Sequence, residues 1–102
     1  MKKTVCALAL LAAMGVAHAK DETALAKESG CMSCHAMAEK VVGPAFAAVA
    51  EKYKGDKGAH DDLVQSIRNG SKGKWGRAAM PGHGNLSNEQ ISALVSWVLS
   101  VK

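Results

Sequence analysis

The sequence predicts a small all-α domain, with four to five short helices wrapped around one covalently attached group. Three observations carry that prediction. Apolar residues recur at helical spacing in several segments separated by glycine, and no stretch shows the two-residue alternation of a strand. The chain has only one Phe, one Tyr and two Trp among its 102 residues, too few large apolar side chains to fill a core unaided. Finally, Cys31-Met32-Ser33-Cys34-His35 sets two thiols three residues apart, with a histidine next to the second. Residues three apart share a helical face, so both sulfurs can bond one edge of a large apolar group that completes the core.

The first 19 residues stand outside this domain. Lys2 and Lys3 precede an apolar run from Val5 to Val16, and Ala17-His18-Ala19 has the small-x-small form of a cleavage site. We therefore expect residues 1–19 to be a cleaved signal peptide and residues 20–102 to form the mature domain. The apolar run is shorter than the ~20 residues of a membrane span, so no membrane anchor is expected. Cys6 lies at the start of that run rather than after it, poorly placed for lipid attachment, and leaves with it. Export to the periplasm follows.

The first helix is expected over roughly Asp21–Ser29, with Asp21 and Glu22 in its opening turn and Gly30 at its end. Pro44 fits the first position of the second, whose Phe46, Val49, Ala50 and Tyr53 fall at i, i+3, i+4 and i+7 before Gly55. The third begins near Asp61 or Asp62, carries Leu63, Val64 and Ile67 on one face, and stops at Gly70. Residues 71–86 read as a long glycine-rich loop interrupted by Pro81, and loops of that length in compact domains are usually functional. Ser87 and Gln90 form a capping box for the last helix, whose stripe is Ile91, Leu94, Val95, Val98 and Leu99, with Trp97 expected in the core.

Cys-x-x-Cys has several uses, and the next residue separates them. A zinc site needs two further Cys or His at ligand spacing, and only His60 and His83 are available, unpaired in spacing. A thioredoxin-like dithiol needs a βαβ context. Cys-x-x-Cys-His is the attachment spacing of a c-type haem, with Cys31 and Cys34 forming thioethers and His35 ligating the iron. The second ring nitrogen of His35 then needs an acceptor, and a backbone carbonyl in Gly43-Pro44 is a candidate. For the opposite side of the iron, Met32 and Met37 lie too close to His35 in sequence to cross the ring. Met80, in the loop and followed by Pro81, is the leading candidate, with His83 and then His60 as alternatives.

The net charge is +4, of which Lys2 and Lys3 contribute half, so the mature domain is close to neutral and nothing points to nucleic acid. The basic excess is local: Arg68, Lys72, Lys74 and Arg77 run without an acidic residue before Glu89. Such a cluster is a solvated loop, a rim for an acidic redox partner, or counter-charge for the carboxylates of a haem.

Taken together, Lys-x-x-Gly-Cys-Met-x-Cys-His at 27–35, Val42-Gly43-Pro44, Ile67-Arg68-Asn69-Gly70-Ser71, Trp75-Gly76-x-x-x-Met80-Pro81 and Trp97-Val98-Leu99-Ser100 resemble the small bacterial class I cytochromes c. The likeness is to the c-551/c-552 group and covers residues 20–102. It implies the class I cytochrome c fold, one covalent haem c, His35 and Met80 as axial ligands, a Pro44 carbonyl bonded to His35, and Arg68 and Trp75 donating to a haem propionate. It also implies a monomeric periplasmic electron carrier, not an enzyme, serving an electron donor and a terminal oxidase or reductase. In one respect the chain departs from that pattern: the link Pro81-Gly82-His83-Gly84-Asn85 is longer than usual and contains a histidine. The alternative is a haem sensor or weak peroxidase in which Met80 detaches.

Overall fold

The computed structural model describes residues 19–102, and the expected signal peptide lies outside these residues except for Ala19. Within them the chain forms four α-helices and one 3₁₀ turn. These are α1 (Thr23–Glu28), the turn at Cys31–Ser33, α2 (Phe46–Lys52), α3 (Ala59–Asn69) and α4 (Asn88–Leu99). No strand forms among the described residues, only isolated bridges between His35 and Lys40 and between Ser71 and Met80.

α4 is the hub, packing against α1, α2 and α3. Its Ile91, Leu94 and Val95 are the largest fully buried side chains, each contributing on the order of 1.5–3 kcal/mol by leaving water. The helix starts where the capping box puts it: Ser87 Oγ accepts from Gln90 N at 3.0 Å, and Gln90 Oε1 accepts from Ser87 N at 2.9 Å. Phe46, Val49, Tyr53 and Ala59 join Leu94, Trp97 and Val98 around it, with Ala26 of α1 closing one end.

Three helix starts differ from the sequence expectation, each for a local reason. Asp21 is not in the first turn of α1; its carboxylate accepts from Thr23 N and Thr23 Oγ1 at 2.9 and 2.6 Å, so the helix begins at Thr23. Pro44 does not open α2, which starts at Phe46 after an extended Ala45. The N–H groups at the start of the helix are those of Phe46 and Ala47, which donate to Ala36 O and Met37 O at 2.9 and 3.0 Å. α3 starts at Ala59 rather than near Asp61, because Asp56 turns the chain by accepting from Gly58 N at 2.8 Å.

The 71–86 segment is tied rather than loose. Ser71 N donates to Met80 O at 3.0 Å and Met80 N donates to Ser71 O at 2.7 Å, closing the loop at its base. Gly70 permits this: its φ of 85° lies in the region that favours glycine, and a Cβ there would lie 2.5 Å from Met80 O.

Candidate functional site

The helices leave one deep apolar crevice whose walls come from every part of the fold after α1. Cys31, Cys34 and His35 form one end, Leu63, Ser66 and Ile67 of α3 one wall, and Leu94, Val95 and Val98 of α4 the floor. Trp75 and Met80 of the long loop close the other side. Spacing on α3 explains its wall: residues 63, 66 and 67 share a helical face, and Arg68 is turned away from it.

The chain around His35 fixes its ring. Cys34 O accepts from both Val42 N (3.2 Å) and Gly43 N (2.8 Å), drawing the 42–44 segment over the histidine. His35 Nδ1 then lies 2.7 Å from Pro44 O. A carbonyl only accepts, so Nδ1 carries the proton and Nε2 keeps its lone pair for a metal. Gly43 is required by proximity, since a Cβ on it would meet His35 Cε1 at 2.6 Å. Phe46 stacks on the His35 ring at 4.9 Å, and Trp97 meets Phe46 edge-on at 5.4 Å. Trp97 is therefore both a core residue and part of the crevice wall.

The candidates on the far side separate. Met80 and His83 both line the crevice, His83 with its backbone N donating to Ile67 O at 2.7 Å. His60 is elsewhere, its Nε2 3.3 Å from Ser92 Oγ. Met32, Met37 and Asn85 do not line the crevice. Trp75 does, and Lys52 Nζ sits 5.1 Å from the centre of its ring. Arg68 does not: its guanidinium donates to Asn88 Oδ1 at the start of α4.

Two polar residues that sequence reasoning did not single out line the crevice instead. Ser66 is the buried polar side chain of the described core. Lys74, placed by sequence only within a general basic cluster, turns inward so that Nζ donates to Ser66 Oγ at 2.7 Å and to Asp62 Oδ1 at 2.8 Å. Asp62 Oδ2 in turn accepts from Tyr53 OH at 2.7 Å. The bonds from Lys74 and Tyr53 hold the Asp62 carboxyl below its usual range. Burial first, then the bond to Asp62 and its charge, push the Tyr53 phenol up to about 12. No sequence signal marks this network, because its members come from the end of α2, from α3 and from the loop.

The donor set discriminates among uses of the two thiols. Burial pushes the Cys31 thiol up, the opposite of an activated redox thiolate. No three His, Cys, Asp or Glu side chains converge to hold a metal ion among the described residues. Two thiols, one imidazole with a free Nε2 and one thioether around an apolar slot fit a flat, apolar, iron-bearing macrocycle.

Comparison with known proteins agrees. The profile of the family described as Cytochrome c matches residues 20–102. Cytochrome c-551 of Pseudomonas aeruginosa is 45% identical over 86 residues, 84% of this chain and 82% of that one. Cytochrome c-552 of Hydrogenobacter thermophilus is 41% identical over the full length of both. Among solved structures, wild-type Nitrosomonas europaea cytochrome c552 superposes with a TM-score of 0.75 at 40% identity, covering 78% of this chain and 98% of that one.

Proposed function

The chain belongs to the cytochrome c family, and from that premise we propose that it is a periplasmic one-electron carrier whose single haem c is held by Cys31 and Cys34 and ligated by His35 and Met80. Family membership gives the coarser part: one covalently attached haem c, a small electron carrier rather than an enzyme, and redox proteins as partners. When bound, the group supplies an iron that is stable in two oxidation states one electron apart.

The chain's own residues do the rest. Cys31 and Cys34 fix the group along one edge, and His35 presents Nε2 in an orientation set by Pro44, Gly43 and Phe46. Met80 brings a soft sulfur, which favours the reduced iron and raises the potential. The apolar walls from α3 and α4 exclude water, so charge moves without large solvent rearrangement. Trp75 lines the crevice, where its indole N–H would serve a propionate, whereas Arg68 lies outside the lining and is bonded to Asn88. Beside the motif, Met37, Val41 and Val42 are exposed at 40%, 53% and 53%, an apolar edge suited to brief contact with an electron donor and then a terminal oxidase or reductase. No described helix is long and apolar enough to cross a membrane. Export with removal of residues 1–19 and a monomeric state complete the proposal.

The observation that carries the reading is the convergence of Cys31, Cys34, His35 and Met80 on one apolar crevice. Periplasmic expression with a haem-attachment system tests it. Mass spectrometry should show a chain beginning at Lys20 with one added haem that survives denaturation, and the ferric spectrum should show a sulfur-to-iron charge-transfer band. A bare polypeptide mass defeats covalent attachment, and ready binding of carbon monoxide by the ferrous protein favours the sensor or peroxidase alternative.

A further inference from the structure

A haem carries two propionates, and in an apolar crevice an ionised carboxylate needs a donor or it takes up a proton. Among the lining residues the one with a permanent charge is Lys74. Its ammonium has three N–H donors, and the chain uses two of them, for Asp62 Oδ1 and Ser66 Oγ. Ser66 Oγ is itself satisfied, donating to Asp62 O at 3.2 Å while accepting from Lys74. The third donor of Lys74 remains for a group in the crevice. The other basic candidate, Arg68 of α3, is bonded to Asn88 outside it.

We propose that Lys74 holds a haem propionate in its ionised form, sharing its ammonium between that carboxylate and Asp62, and thereby sets the reduction potential of the iron and its independence of pH. The inference rests on the proposed haem site. The groups that face Lys74 are Asp62 and Ser66 of α3, Tyr53 following α2 through its bond to Asp62, and Lys52 of α2, whose charge also bears on Asp62. Asp62 is the competitor. It draws part of the positive charge away from the crevice, and Tyr53 holds it in place to do so. Lys74 acts as a positioning and field-setting residue, through the propionate rather than on the iron.

The test is voltammetry of the haem-loaded protein across roughly pH 5 to 8, with Lys74→Met, Lys74→Arg, Asp62→Asn and Lys72→Met. The Lys74 side chain is 30% exposed and lies outside the buried hydrophobic cluster, so its replacement should leave the fold intact. In Lys74→Met the lost positive charge should favour oxidised iron by at least about threefold at neutral pH, which is about 28 mV at ~59 mV per decade. Its potential should also climb as pH falls, because the unpaired propionate now takes up a proton within the range. Lys74→Arg should keep the parent's flat profile. Asp62→Asn should raise the potential, since it leaves the ammonium wholly to the propionate. Lys72 lies in the same loop, exposed and away from the crevice, and Lys72→Met should match the parent profile.

A flat profile in Lys74→Met, with a shift no larger than that of Lys72→Met, overturns the proposal. If Lys74→Met does not load haem, Asp62→Asn decides, and an unchanged potential there overturns it equally. The visible spectrum keeps the two levels apart. A parent lacking the sulfur charge-transfer band defeats the proposed axial site, whereas an intact band with a flat Lys74→Met profile defeats this inference alone.

Discussion

Gly43→Ala probes how firmly the 34–44 segment orients His35. A Cβ at Gly43 would lie 2.6 Å from His35 Cε1 and 2.9 Å from Nδ1, about 1 Å inside ordinary carbon contact. The ring has little room to yield, since Phe46 stacks on it at 4.9 Å. Either the imidazole swings off Pro44 O and loses the 2.7 Å bond, or the 42–44 segment lifts and strains its two bonds to Cys34 O. The first route costs roughly 0.5–1.5 kcal/mol for the bond, more if the carbonyl stays unpaired. The second is overpacking, at roughly 1–3 kcal/mol. A loss of about 2 kcal/mol lowers Tm by roughly 8–16 °C in a domain of this size. Because donation from Nδ1 makes the imidazole a stronger ligand, the reduction potential should rise as the bond weakens. Thermal melting of the haem-loaded variant, with NMR of the His35 Nδ1 proton, measures both. A Tm within about 4 °C of the parent, together with an unmoved proton resonance, would refute the claim that Gly43 is required by contact with His35.

Other outcomes follow from the same geometry. Cys31→Ala with Cys34→Ala should leave a chain with residual helix but no cooperative melt, because the crevice walls meet nothing; circular dichroism and dye binding check this, and a sharply melting apoprotein refutes it. Met80→Ala should abolish the sulfur charge-transfer band, lower the potential and admit carbon monoxide. His83 also lines the crevice, so only Met80→Ala with His83→Ala should stay open at neutral pH, and an unchanged band in the single variant removes Met80 as the ligand. Tyr53 is the chain's one tyrosine, so tyrosinate absorbance reads it alone. Its midpoint should lie near 12 and move down in Asp62→Asn while staying above the ordinary value, since burial is the larger cause. Asp62 is depressed in the folded state, so its stabilisation is present above the unfolded carboxyl value of about 3.9 and fades as pH falls below it. The stability gap between Asp62→Asn and parent should therefore narrow as pH falls below that unfolded value, and a constant gap would contradict this assignment.

Much of this was legible in the chain. The Ser87–Gln90 box and the α4 stripe are local signals, and the structure places them as the sequence predicts, while Cys31, Cys34 and His35 come to line one crevice. What escaped was set by partners distant in sequence. Pro44 looks like a helix start, but the carbonyls that cap α2 are those of Ala36 and Met37, and Pro44's own carbonyl faces His35. Arg68 and Lys74 are equivalent in a charge count. Helical phase alone turns the first toward Asn88, whereas the loop tied at Ser71 and Met80 brings the second back over Asp62. Phe46 reads as a core residue, and its stacking on His35 depends on how the 35–46 segment closes.

The reciprocal bonds between Ser71 and Met80 bear on how fast the Met80 sulfur would come and go in its proposed role. A ligand carried on an open strand detaches by peeling the strand away, a collective motion of microseconds to milliseconds. Here the backbone of Met80 is itself one half of the knot, so residues 72–79 form a closed hoop whose closure does not depend on the sulfur. Detachment would be left to the side-chain torsions, which hop between staggered wells in picoseconds to nanoseconds once steric room exists. Rebinding would then start from a tethered neighbour a rotamer away, and an incoming molecule would compete against that short, local return.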